Sequence, residues 1–486
     1  MKQLSGLDNL FLALERGNQF LHVAGLGIYD PSTAPGGKVR FKSVLNYFAS
    51  RLGESKAFRR RLITVPKDID RPYWVEDGAI DLEYHVRHIA LPHPGDWRQL
   101  CIQVARIHSR PLDQSKPLWE VYVIEGLRQI PGVPKDSFAL YSKFHHAVVD
   151  GQAGAELLMA VHSLTPDLPE QQQPSSSVIV ERDPTIIELY TRAVTNRTHQ
   201  IAEASRVLTT LGHSAVDLGR TLLKMKFDKG LHWPNGDEPG IVPSRAPVTR
   251  FGQPLSPHRV VEAQGFPLED FERIRAHFGD ATIDDIFLTV AGGAIQRYLA
   301  AKNELPDQPI NALTSMSPAA CGATVGGMIV PLHTQIGDAE QRLKAVRRGA
   351  KIGQEITHLI GKDLPEKLMN VMPTVATRAI VKRSMIPRIN VVASNVSGSS
   401  APLYMAGARM VQFFPVSAII DGVGLNLSGL SYDGKLWIGA VSCRKIMPDP
   451  AFFGQCLRES FNELLDLATP EPESDTSHAA PDSEPQ

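Results

Sequence analysis

The chain has 486 residues, 43% of them hydrophobic, with 52 acidic side chains against 51 basic ones. That length and apolar content suit two or three domains with their own cores, and nothing in them forces disorder or a fibre. The near-zero charge balance supplies no global field for a nucleic-acid backbone, so no nucleic-acid partner is expected.

The four cysteines, at 101, 321, 443 and 456, are scattered and suit a reducing cytoplasm better than a disulfide framework or a zinc knuckle. The opening Met1-Lys2-Gln3-Leu4-Ser5-Gly6-Leu7-Asp8 lacks the apolar core of a signal peptide. The uncharged run Ile286 to Ile295 falls far short of the roughly 20 residues that cross a bilayer.

Up to about residue 166, short strand-like runs (His22 to Ile28, Leu118 to Ile124, Phe138 to Phe144) alternate with helix-like ones (Phe41 to Leu52, Gln99 to Arg110). This is an α/β pattern without the regular repeat of a dinucleotide fold, and no glycine-rich phosphate loop joins a strand to a helix. Residues 167–177 are a polar linker rich in Gln, Ser and Pro. A long helical stretch is expected from Thr185 to Met225, followed by a breaker-rich segment with prolines at 234, 239, 243 and 247.

A second unit spans about 248–468. Within it, Thr282-Ile283-Asp284-Asp285 is a helix start: Thr282 can accept from first-turn amides, and both aspartates face the positive end of the dipole. The clearest hairpin joins Leu425–Tyr432 to Lys435–Val441 through Asp433-Gly434, residues that tolerate positive φ. Residues 469–486 read as a disordered tail. The expected organisation is therefore a lobe over 1–166, a linker and connecting helix over 167–247, a second lobe over 248–468, and the tail.

The chemistry-bearing stretch is His145-His146-Ala-Val-Val-Asp150-Gly151. It falls between a predicted strand, Phe138 to Phe144, and a predicted helix, Ala153 to Leu164. An imidazole with a pKa of about 6.5 is the natural acceptor of an alcohol proton near neutrality. Neighbouring residues on an extended backbone face opposite ways, so one histidine of the pair is expected to react. Asp150 could fix a tautomer, hold the local backbone or cap the following helix; Gly151 could simply relieve the turn. Read alone, such a histidine pair is more often structural than catalytic. Metal binding by His145, His146 and Asp150 is disfavoured because adjacent extended histidines diverge, and no metal is expected.

With these residues in view, the chain resembles the bacterial wax ester synthase/acyl-CoA:diacylglycerol acyltransferase family, within the chloramphenicol acetyltransferase-like CoA-dependent acyltransferases. Besides the His-His-x-x-x-Asp-Gly signature, Leu4-Ser5-Gly6-Leu7-Asp8-Asn9-Leu10-Phe11 resembles the family's N-terminal block, and Pro117-Leu118-Trp119 its Pro-Leu-Trp block. Asp284-Asp285 stands at the family's Asn-Asp pair, and Asn395-Val396-Ser397-Gly398 resembles Asn-Val-Pro-Gly. Two departures are visible: Asp284 replaces an amide donor by a carboxylate, and Ser397 replaces a proline, restoring a backbone donor.

The resemblance implies a two-lobed α/β fold of mixed sheets with an active-site tunnel between lobes. It implies long-chain acyl-CoA as a substrate, with no cofactor, and fatty alcohol or diacylglycerol as acceptor. His146 would be the general base, with His145, Asp150 and Gly151 supporting it. Asp285, Asn395 and Gly398 would bind substrate or support the site, although Asp285 is equally a helix cap and Asn395 a turn-bonding residue. Pro117, Leu118 and Trp119 read as scaffold. The expected location is cytoplasmic, with peripheral contact at a membrane or lipid droplet. The stretch Leu208 to Phe227, carrying Lys224 and Lys226, is one candidate contact surface; packing across the lobes is its other reading.

Overall fold

The computed structural model describes residues 1–78, 80–149, 158–167, 182–200, 203, 245–315, 327–360 and 364–469. Asp150 and Gly151, most of the 167–247 linker and connecting helix including the Leu208 to Phe227 stretch, and the tail from 470 lie outside the described residues.

The first six-stranded sheet has the order Tyr404–Met405, Ala408–Val416, His22–Asp30, Phe138–His145, Trp119–Glu125, Val86–Ala90. Its central strands are apolar on both sides, as strands buried between layers must be, and Trp119–Glu125 is buried over six consecutive residues. Helix Trp97–His108 starts at Asp96, whose carboxylate accepts from the Gln99 amide, and buries Leu100, Val104 and Ile107. Most pairs are antiparallel; Val86–Ala90 runs parallel to Trp119–Glu125.

The second sheet has the order Gly327–Pro331, Asn311–Ser315, Val391–Val396, Leu425–Tyr432, Lys435–Cys443, Arg259–Pro267. The predicted hairpin is present in register, with Asp433 at φ 47° and Gly434 at φ 76°. Helix Ile283–Ala300 begins with the capping box that its sequence announces: Thr282 Oγ1 accepts from the Asp285 amide, and the Asp285 carboxylate accepts from the Thr282 amide. This helix is buried along most of its length and packs on Pro450–Ala468.

The two sheets are bound together by a strand that periodicity does not foretell. Ala408–Val416 follows the second sheet's Val391–Val396 in the chain, yet it pairs with His22–Asp30 in the first, with a bulge between Met410 and Gln412. Its Pro415 carbonyl lies so close to Gly439 that a Cβ there would sit 1.9 Å from the oxygen. Only glycine permits that approach between backbones of the two sheets. Across the same seam, Trp97 Nε1 donates to Glu262 at 2.8 Å, and Gln19 donates to Asp421 at 2.9 Å.

A three-stranded sheet, Lys2–Gln3, Tyr73–Glu76 and Arg60–Ile63, flanks the first. A helix over 186–200 rests on it through Leu189 and Ala193, against Val65 and Tyr73. The helix expected from Ala153 to Leu164 is described only at 158–160 and ends there. Ser163 instead exchanges backbone hydrogen bonds with Tyr404, and that pairing removes it from any helical ladder. No helix among the described residues is long and apolar enough to cross a membrane.

Candidate active site

Strand Phe138–His145 ends at the histidine pair. His145 retains extended angles (φ −71°, ψ 141°), and a 3-10 turn follows over His146–Val148. Backbone bonds fix both residues: the His145 amide donates to the Leu118 carbonyl at 3.0 Å, and the His146 amide donates to the Leu21 carbonyl at 2.7 Å. Leu118, in the Pro117-Leu118-Trp119 block, thus bonds the backbone of the strand end that carries the pair. Leu118 and Trp119 are fully buried, and Trp119 Nε1 donates to the Phe58 carbonyl at 3.1 Å.

The two imidazoles have different environments. His145 is buried, and its Nδ1 accepts from the Ala147 amide at 3.0 Å, so its proton resides on Nε2. That Nε2 lies 3.2 Å from Glu15 Oε1. The His146 ring lies against Phe11, with centroids 4.1 Å apart, and its Nδ1 is buried with no hydrogen-bond partner among the described residues. Burial, reinforced by the neighbouring His145 and partly opposed by the residue's own carbonyl, brings the His146 pKa down to about 4. His146 is therefore neutral at physiological pH, the form that can accept a proton.

Glu15 lies in no motif of the sequence, yet it organises this corner. It caps helix Gly6–Leu14, and its Oε1 accepts from the Leu21 amide at 2.8 Å, while the Leu21 carbonyl holds His146. Its Oε1 also lies 3.6 Å from His22 Nε2. His22 faces His145 in register across the sheet and is fully buried, with no hydrogen-bond partner for either ring nitrogen among the described residues. His108 adds a third buried ring, bonded to Tyr141 at 2.7 Å and to the Ser417 carbonyl at 3.2 Å. Burial holds His22 well below its ordinary value and His108 at about 3, with the cations Lys143 and Arg259 acting in the same direction. The only hint in sequence was a carboxylate ending an apolar helical run seven residues before a histidine; its meaning depends on partners 130 residues away.

The second sheet supplies the other predicted residues. Asn395 Nδ2 donates to Asp284 Oδ1 at 2.8 Å, tying the end of strand Val391–Val396 to the first turn of helix Ile283–Ala300. Its buried Oδ1 has no partner among the described residues. Burial raises the Asp284 pKa, the Asn395 amide opposes that, and Asp285 adds to it. Asp285 is engaged in its capping box. The Gly398 amide donates to Ser431 Oγ at 3.0 Å, and a Cβ at Gly398 would stand 2.2 Å from the Ser431 carbonyl oxygen, so the close approach itself requires glycine.

Two mixed α/β sheets joined at a seam, with a half-buried neutral histidine at the end of a central strand, make up the architecture found in CoA-dependent acyltransferases. The comparisons are specific. Residues 4–287 match the model of the wax ester synthase/diacylglycerol acyltransferase catalytic domain, and residues 321–465 match the C-terminal domain of the same family. A putative diacylglycerol O-acyltransferase of Mycobacterium tuberculosis is 32% identical over 97% of this chain and 92% of its own length. The O-acyltransferase WSD of Acinetobacter baylyi is 32% identical over 92% of this chain and 93% of its own. The solved wax ester synthase/diacylglycerol acyltransferase of Marinobacter aquaeolei superposes with a TM-score of 0.65 at 26% identity, covering 96% of this chain and 100% of that one. A condensation domain of the calcium-dependent antibiotic synthetase shares the fold, with a TM-score of 0.53 at 12% identity over 96% of both chains. The chain belongs to the wax ester synthase/diacylglycerol acyltransferase family and is an O-acyltransferase.

Proposed function

We propose that this protein transfers a long-chain acyl group from acyl-CoA to the hydroxyl of a fatty alcohol or a diacylglycerol, with His146 as general base. The observation that carries this reading is the His146 imidazole, held by its backbone at a strand end and neutral. His146 takes the hydroxyl proton as that oxygen attacks the thioester carbonyl. The tetrahedral intermediate then collapses, the C–S bond breaks, and the same imidazole returns the proton to the CoA sulfur. Atoms and charge balance without a covalent acyl-enzyme, a metal or a cofactor; acyl-CoA is a substrate.

In this reading His145 and Glu15 are positioning residues: they hold the turn that carries His146 and do not touch the reacting atoms. Asp150 and Gly151 are assigned to supporting the same turn, on the strength of the motif. Asn395 with Asp284, Asp285 and Gly398 support the facing sheet's edge of the site. We assign the protein to the cytoplasm, and peripheral contact with a lipid surface would give it access to its long-chain substrates.

Because burial lowers the His146 pKa, protonation should silence the base only at low pH. The acid limb of kcat/KM, measured in short assays over which the protein stays folded, is expected near pH 4 to 5, toward the lowered value of about 4. A limb at about 6.5, the ordinary imidazole value, would contradict a desolvated base.

A further inference from the structure

Helix Gly6–Leu14, whose Phe11 lies on His146, is covered by a segment from the second half of the chain. Helices Leu364–Val371 and Thr374–Ile380 pack on it; Asn370 accepts from the Gly6 amide at 2.6 Å, and Asn9 donates to Thr374 Oγ1 at 2.6 Å. Met369 and Val381 join the apolar cluster of Leu10, Leu14 and Leu21 beneath. The inward side of Thr374–Ile380 and the turn Val381–Met385 that continues it is thus accounted for by Thr377 and Val381.

The outward side is not. Val375, Ile380 and Met385 are 74%, 47% and 39% exposed, three large apolar side chains turned to solvent within eleven consecutive positions. Interleaved with them are Arg378, Lys382, Arg383 and Arg388, with no acidic residue between Pro373 and Arg388. The whole chain carries one more acid than bases, so this local excess of four positive charges stands out. The side chains of Arg378, Lys382 and Arg383 make no ion pair or hydrogen bond among the described residues. Exposed aliphatics between unpaired cations match the two layers of an anionic lipid surface, acyl chains below and phosphate headgroups above. A nucleic acid would engage the cations but leave the aliphatics in water.

We propose that the 374–388 face docks on an anionic lipid bilayer, where the acceptor dissolves, and so brings the helix bearing Phe11 and the His146 site to that surface. The proposal rests on the lipid acyltransfer reading, and it names the partner and the face.

The test uses the full-length protein in flotation with vesicles of phosphatidylcholine alone or of three parts phosphatidylcholine to one part phosphatidylglycerol. The protein should float with the anionic vesicles and not with the neutral ones. R378E/K382E/R383E should lower the bound fraction at least about tenfold, since each basic residue near such a surface contributes measurably to binding. V375S/I380S should lower it as well. Both variants should turn over detergent-dispersed alcohol and acyl-CoA within about twofold of the parent. Unchanged flotation of both variants, or a parent that ignores anionic vesicles, overturns the docking face; retention on an acidic polypeptide through the same residues, without flotation, overturns it in favour of a protein partner. A parent that floats yet forms no ester sinks the acyltransfer reading instead, so the two failures are distinguishable.

Discussion

His146→Ala is expected to lower kcat for ester formation by about 10²- to 10⁴-fold, the range a positioned general base contributes, with the fold intact. The chemical part follows from the mechanism: without the imidazole the acceptor hydroxyl must attack with its proton in place. The structural part follows from the surroundings. His146 is only half-buried, its turn is fixed through the Leu21 carbonyl by a backbone amide that alanine keeps, and its Nδ1 bonds to no neighbour that would be orphaned. Circular dichroism and thermal unfolding should therefore match the parent while steady-state turnover collapses. His145→Ala should behave differently, because it strips the Ala147 amide of its acceptor and leaves Glu15 facing a void.

Substitution of Glu15 is the second large effect. The carboxylate accepts from the Leu21 amide, and Leu21 in turn holds the His146 amide, so the reach of the side chain sets where the base sits. Glu15→Asp retains the charge but withdraws the oxygens by one methylene. It is expected to lower kcat about 10²-fold, the order that a misplacement of about 1 Å can cost, with KM for acyl-CoA little changed. Glu15→Gln keeps an acceptor oxygen at full reach and should retain activity within a few-fold. A large loss in Glu15→Gln with Glu15→Asp near the parent would mean that charge, not position, is what Glu15 supplies. A loss confined to KM would move Glu15 to substrate binding.

The local elements of this fold can be read from residues because their causes are local. The capping box at Thr282 and Asp285, the Asp433-Gly434 turn and the helix begun by Asp96 each depend on residues within four positions of one another. The strands around Trp119 and Phe138 declare themselves by unbroken apolar runs. What escapes is whatever is decided by distant partners. Nothing in Ala408–Val416 says that it leaves the second sheet to pair with His22–Asp30; that choice is made by the edge the first sheet offers.

The site divides in the same way. His145 and His146 can be found from their motif, and their placement at a strand end follows from the apolar run before them. Glu15, His22 and His108 have no motif spacing: they meet because strands His22–Asp30 and Phe138–His145 are adjacent and helix Gly6–Leu14 ends above them. Asn395 was open between bonding a turn and meeting substrate. Its amide is bonded to the Asp284 carboxylate, so the unusual aspartate at that position has acquired a donor suited to it.

Direct transfer from thioester to hydroxyl is the step on which everything else depends. The measurement is the yield of free CoA thiol against ester, by mass, when the purified protein is given a long-chain acyl-CoA with a fatty alcohol or with a diacylglycerol. One ester molecule for each thiol released, with no acylated protein during the first turnover, is the predicted result. Thiol release without ester, or an acyl group carried on the protein before the acceptor is added, would contradict it.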